Sequence, residues 1–157
     1  MSAQTTWESA EQLLDILLPL NVLISVKLRQ DIDEEVTMAQ FRILAQLQEQ
    51  PLTLSELAEQ RQVSRQAASL QIQGLVERGW VRRIPDPKDR RQARLKLTQE
   101  GIAQWRQTQQ ALTETLVEHL DLLTPDELAA LRVIIPAFKR SMERQRTDGN
   151  APLEEQG

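Results

Sequence analysis

Residues 78–101 read Arg78-Gly79-Trp80-Val81-Arg82-Arg83-Ile84-Pro85-Asp86-Pro87-Lys88-Asp89-Arg90-Arg91-Gln92-Ala93-Arg94-Leu95-Lys96-Leu97-Thr98-Gln99-Glu100-Gly101. Two short alternating runs, 81–84 and 94–97, flank a Pro-Asp-Pro turn that is followed by consecutive arginines. This pattern predicts a small β-hairpin with a cationic tip. A positive finger of that shape suits a nucleic-acid groove better than a core or a catalytic cleft.

Charge elsewhere in the chain sharpens this. The net charge is −4, which alone argues against a polyanion as partner. Its distribution reverses the argument. Residues 61–96 hold ten Lys or Arg against three acidic residues, a net of +7, and the remainder holds nine against twenty, a net of −11. Such asymmetry is the electrostatic footprint of a nucleic-acid binder, the competing explanation being a solvated basic face. Aromatic content is only 3%, too little for a platform that stacks single-stranded bases. The absence of Cys excludes disulfides, thiolate catalysis and thiol redox sensing. No basic, apolar and small-residue leader opens the sequence. The apolar run from Leu13 to Leu28 is broken by Asp15, Pro19, Asn21, Ser25 and Lys27, so no clean membrane span of ~20 residues is expected. A cytoplasmic protein follows as the expectation.

Outward from the hairpin, helical periodicity takes over. Upstream, Ser64 is a good N-cap for a helix that ends near Arg78, with Gly79 as its stop. Before it, Thr53-Leu54-Ser55-Glu56 forms a capping box that opens a short helix through about Gln60. The turn at 60–63, with Val63 packed inside, makes these two a helix-turn-helix. Thr37 and Gln40 cap another helix, with Met38, Phe41, Leu44 and Leu47 as its stripe, and Pro51 ends it. The first helix spans about Trp7 to Arg29. Its apolar surface is wider than a monomer needs, so a partner subunit is expected to cover part of it; Pro19 is expected to kink or break it.

Downstream, Thr98 caps a long helix to about Leu122, with Ile102, Trp105, Leu112, Leu116 and Leu120 as its apolar positions. Thr124-Pro125-Asp126-Glu127 starts a last helix to about Arg146. Leu128, Leu131, Ile134, Ile135, Phe138 and Met142 are expected inside, and Pro136 to bend it. The fold class is therefore mainly α with a small β-hairpin wing: a winged helix-turn-helix over 35–98, flanked by long N- and C-terminal dimerisation helices over 7–34 and 99–146. Residues 1–6 and 147–157 are expected to be disordered tails.

The first turns of the helix after Ser64 carry the candidates for base reading, because the B-DNA major groove admits a helix by its N-terminal turns. Arg65 can bond guanine in bidentate fashion and Gln66 adenine. Ser64 and Ser69 suit phosphates. Ala67 or Ala68 can meet a thymine methyl group, and Gln73 lies one turn further along. At the wing tip, Arg90 and Arg91 are candidates for minor-groove insertion or phosphate contact. Asp86 is expected to make the turn. Asp89 has two roles open to it, making the turn or holding an arginine in one orientation.

These residues resemble the MarR family of bacterial transcription regulators. The family's wing signature is matched in register by Asp89, Arg91, Leu95, Leu97, Thr98 and Gly101. Glu-Arg-Gly-Trp-Val at 77–81 and Leu-Thr-Pro-Asp-Glu-Leu at 123–128 are also similar to it, and the likeness follows helix order over about 7–146. The resemblance implies a homodimer with interleaved terminal helices, binding to double-stranded DNA at a palindromic operator, and release by a small, often anionic and aromatic, effector. It also implies Arg91 in the minor groove, braced by Asp89, and a ligand pocket between the dimer helices and the DNA-binding lobe, near Trp7, Arg42 or Trp105; packing or a surface position explains each of these three more simply, and the ligand-binding residues are left unassigned. Leu70-Gln71 departs from the expected polar-then-aliphatic order, which leaves the recognition-helix register open by one residue. The peroxide-sensing branch needs a cysteine and is excluded.

No cofactor, metal site or catalytic residue is expected. His119 is the only histidine, which removes most acid–base dyads, and Glu114, Glu118 and His119 make a helix face rather than a metal site. A non-specific architectural DNA binder or protein-interaction module is the competing class. An activator or anti-repressor is a third.

Overall fold

The computed structural model describes residues 3–31, 36–89 and 91–148. The order is α1 (Ala3–Asp31), α2 (Met38–Glu49), β1 (Leu52–Thr53), α3 (Leu54–Gln60), α4 (Arg65–Glu77), β2 (Val81–Pro85), β3 (Ala93–Leu97), α5 (Gln99–Leu120) and α6 (Pro125–Asp148). The helices, helix-turn-helix and hairpin stand in the expected order. The chain divides into two compact units, Met1–Thr115 and Leu116–Gly157.

Local sequence sets the boundaries in the first unit. Thr37 and Gln40 form a reciprocal capping box at α2, and Thr53 and Glu56 another at α3, each satisfying two of the backbone donors a helix start leaves unpaired. α3 and α4 both stop through a residue of positive φ, Gln62 at 53° and Gly79 at 73°. Val63 N–H then reaches back to the Ala58 carbonyl, and Trp80 N–H to that of Leu75, which closes both helix ends. Glycine takes this conformation freely; at Gln62 the cost of the side chain is borne to make the tight turn between the two helices.

The sheet has a strand the sequence reading did not contain. β1 is two residues long and pairs antiparallel with β3, Leu52 opposite Leu95, so the order is β1-β3-β2. Two residues after a proline, the second of them the cap of α3, carry no visible alternation, so the sequence does not mark β1 as a strand. β2 and β3 pair from Val81–Leu97 to Pro85–Ala93.

Under this sheet lies the main core: Ile43, Leu44 and Leu47 of α2, Leu57 of α3, Ile72 and Leu75 of α4, and Val81, Leu95 and Leu97 of the hairpin. Each large side chain removed from water there contributes about 1.5–3 kcal/mol. A smaller cluster joins Leu28 of α1 to Val36 and Leu112 of α5. In α5 the buried stripe is partly polar. Thr108 and Thr115 are buried alongside Gly101 and Leu112, whereas Leu120 is exposed. Hydrophobic periodicity passes over threonines that bond within their own helix, as Thr115 does by donating to the Ala111 carbonyl at 3.0 Å.

Several expectations need correction. α1 is helical from Ala3, so residues 3–6 are not a loose tail, and α6 continues to Asp148. α1 continues through Pro19, so no break falls there, and Pro136 lies inside α6. On α6, Ile134, Ile135, Phe138 and Met142 are exposed rather than inside, and on α1 Trp7, Leu14, Ile16, Leu17, Leu18 and Val22 are exposed too. By length and composition alone, Gln4–Arg29 is apolar enough to cross a membrane, with a mean hydropathy of 1.4 over 18 residues. The interruptions counted in the sequence do not disqualify it. Residues 149–157, part of the expected C-terminal tail, lie outside the described residues.

Candidate nucleic-acid interface

α4 fixes the site. Ala68, Ile72 and Leu75 are buried, which orients the helix against the core. Leu70 points outward and Gln71 is half-buried. The outward ridge is then Gln66, Leu70, Gln73 and Glu77, at the i, i+4, i+7, i+11 positions of one helical face. Gln73 donates to Glu77 at 2.9 Å along this ridge. Ser64 caps the helix, its Oγ accepting from Ala67 N–H at 3.1 Å, so that lone pair is already committed. Ala68, offered from sequence as a thymine-methyl contact, is fully buried and cannot serve; it faces the core because the helix packs through it. Ala67 is half-buried.

Arg65 and Ser69 lie to one side of the ridge and face the wing. With Thr53, Ser55, Arg83, Arg91 and Gln92 they wall a groove of about 500 Å³, floored by Leu54, Ile72 and Leu95. Arg65, Ser69 and Arg91 are thus brought together, while Gln66 and Gln73 stand on the ridge outside that groove. Arg83 was not singled out from sequence. The signal was strand alternation, since it pairs opposite Leu95 and shares a face with Val81. Three guanidinium groups with no carboxylate among the lining residues give the groove a positive lining.

The wing tip is a built turn. Asp86 accepts from Lys88 N–H at 2.7 Å and Asp89 N–H at 3.3 Å, and Asp86 N–H donates to the Gln92 carbonyl at 3.0 Å. Asp86 therefore makes the turn, as expected, and does more: its carboxylate also receives Arg94 Nε–H at 2.6 Å. These bonds hold the Asp86 carboxyl below its ordinary value, the Lys88 backbone N–H first among the causes, although burial works against it. Arg94 continues to the Pro51 carbonyl at 2.9 Å and to Glu56 at 3.6 Å. One guanidinium thereby ties the wing to the segment that opens α3. It counts toward the basic segment but is spent on structure.

Asp89 accepts from Arg91 N–H at 3.0 Å and from the Gln92 side-chain amide at 3.3 Å, with the Arg91 guanidinium 3.8 Å from the same carboxylate. The Asp89 carboxylate thus accepts bonds within the turn and lies within ion-pair distance of the Arg91 guanidinium. The Arg91 side chain is 95% exposed. Arg90 lies outside the described residues.

The base of the wing explains the Leu-Thr-x-x-Gly signature. Thr98 Oγ donates to the Gly79 carbonyl at 2.6 Å and accepts from Gly101 N–H at 3.0 Å. It joins the end of α4 to the start of α5. A Cβ on Gly101 would lie 2.0 Å from the Trp80 carbonyl oxygen, so only glycine fits. Arg78 stacks over Trp80 at 5.2 Å. Trp7, Arg42 and Trp105, placed near a ligand pocket by the resemblance, are not among the groove's walls. Among the described residues no group of three or more His, Asp or Glu is placed to hold a metal ion.

Comparison with known proteins agrees with this fold. Residues 35–92 match the model of the MarR family. The multiple antibiotic resistance protein MarR of Escherichia coli is 34% identical over 103 residues, covering 64% of this chain and 72% of that protein. The transcriptional repressor MdtR of Bacillus subtilis is 32% identical over 127 residues, covering 77% and 82%. The crystal structure of wild-type apo MarR from E. coli superposes with a TM-score of 0.69 at 27% identity, over 82% of this chain and 95% of that one. The regulator BldR of Sulfolobus solfataricus shares the fold at a TM-score of 0.66 and 22% identity, over 87% and 99%. With the wing signature explained residue by residue and relatives matched over most of their length, the chain belongs to the MarR family of winged helix-turn-helix transcription regulators.

Proposed function

We propose that this protein is a homodimeric repressor that binds a palindromic operator in double-stranded DNA and leaves it when a small effector binds. The observation that carries this is the joint presentation of α4 and the wing. Arg65, Gln66, Ser69 and Gln73 stand on the accessible side of a helix whose other side is locked into the core. The Arg91 side chain is 95% exposed at the wing, with its guanidinium 3.8 Å from the Asp89 carboxylate. α4 lies in the major groove, where Arg65 and Gln66 have the donor and acceptor geometry for base edges, and Ser64 and Ser69 meet phosphates. Arg91, with Arg90 beside it in sequence, reaches the minor groove or its phosphates, and Asp89 supports it. Domain roles follow: 35–98 binds DNA, and 7–34 with 99–146 dimerise. The exposed apolar side chains of α1 and α6 support this, because patches of that kind on soluble proteins mark contact surfaces.

An aromatic or anionic effector fits the same scheme. The groove of Arg65, Arg83 and Arg91 suits either a DNA phosphate or a small anion that competes with it. The relatives' standing as regulators supports a non-enzymatic, cytoplasmic role. Fluorescence anisotropy of the full chain on a selected duplex and on its scrambled counterpart tests the proposal. Specific binding should exceed non-specific binding about 10³-fold or more. A ratio near one favours the architectural class instead.

A further inference from the structure

The structure's exposed large hydrophobic side chains are distributed unevenly. Among the described residues, all but one lie on α1, α5, α6 or the turn between the last two. The exception is Leu70, 66% exposed, in the middle of α4. It stands on the outward ridge between Gln66 and Gln73, one turn from each. A single exposed leucine on an ordinary surface needs no explanation. This one occupies the centre of the face that enters the major groove, flanked by side chains suited to base edges.

We infer that Leu70 is a specificity-determining residue that reads the 5-methyl group of a thymine in the operator. The inference rests on the DNA-binding role proposed above and names one base-pair contact within it. The major groove displays a single apolar group, the thymine methyl, and apolar side chains meet it there. An isobutyl group offers no hydrogen bond to any other base edge. Placed against guanine O6 or adenine N6, it would strip water from a polar group and return nothing. The preference therefore comes from both sides, attraction to the methyl and exclusion of the alternatives. Leu70 takes over the contact that the sequence suggested for Ala67 or Ala68. The short side chain of Ala67 is half-buried and that of Ala68 is in the core.

The test uses the full chain and a duplex selected from random DNA. Each thymine is replaced in turn by uracil, which deletes the methyl group and leaves every hydrogen-bonding atom. Wild-type protein should lose about fourfold in affinity at one thymine of each half-site, the value of one buried methyl-sized group. Leu70→Ala should bind the thymine and uracil duplexes equally. That variant keeps its helix, because the position is exposed and alanine favours helix, and an unchanged thermal midpoint verifies it. If no uracil replacement affects the wild type, or if Leu70→Ala keeps the full thymine preference, Leu70 has no such role while DNA binding stands. If the full chain enriches no duplex at all, the DNA-binding role and the Leu70 contact fall together.

Discussion

The Asp86 carboxylate and the Arg94 guanidinium meet at 2.6 Å across the foot of the wing tip, with Asp86 only 5% exposed. The same guanidinium holds the Pro51 carbonyl, so one ion pair sets the angle of the wing against the segment that opens the helix-turn-helix. Arg91, whose side chain is 95% exposed, is carried by this inner frame.

Removing the frame should loosen the wing without emptying the core. Arg94→Ala leaves Asp86 and the Pro51 carbonyl without their shared partner, so amide hydrogen exchange at 86–94 should rise while that of α2 and α4 stays slow. Uniform protection across the hairpin would mean that the β2–β3 ladder alone holds it.

The same pair predicts an acid sensitivity. Asp86 has its folded pKa below the ordinary 3.8. Its stabilising contribution is thus full above the unfolded value and is lost as pH falls through the folded one. Glu127, held low by the Thr124 backbone N–H and hydroxyl, works in the same direction at the start of α6. Urea midpoints should fall as pH drops below about 4, and Asp86→Asn should flatten part of that fall. A variant with the wild-type pH profile would remove Asp86 from the account.

Gly101→Ala should be far costlier than an ordinary change at a helix start. The new Cβ meets backbone, not a movable side chain, so α5 must shift away from Trp80. Overpacking of this kind costs about 1–3 kcal/mol, readable as a lowered urea midpoint. A neutral substitution would show that α5 is free to move.

Arg91→Ala should leave stability unchanged, since the side chain makes no buried contact, and should weaken DNA binding. The slope of log affinity against log salt should fall by about one. Arg65→Ala should instead relax base preference at one operator position, at a cost of ~1–3 kcal/mol. A uniform loss across sequences would reassign Arg65 to a phosphate in the groove it shares with Ser69.

The exposed stripes on α1 and α6 should be covered by a second copy. Sedimentation of the wild type should give a dimer at micromolar concentration, and Leu17→Glu with Ile134→Glu should shift it toward monomer. A wild-type monomer would contradict the dimer outright.

Much of this was legible in the sequence because it is local. Capping pairs such as Thr53 and Glu56, the stop at Gly79 and the hairpin alternation act within a few residues, and so they declare themselves in order. What escaped notice was set by distant partners. β1 exists only because Leu52 finds Leu95, and Arg94 looked like one more cation until Pro51 and Asp86 were beside it. The outward stance of Leu70 depends on which three residues of α4 the core accepts. The apolar residues of α6 misled for the opposite reason: periodicity reports that a face is to be covered, not whether its own chain covers it.

Selection of bound sequences from a random DNA pool tests the central claim most directly. The full chain should enrich an inverted repeat whose half-sites lie about one helical turn apart, with a thymine at a fixed place in each half. Recovery of DNA with no common sequence, or of none at all, would contradict it.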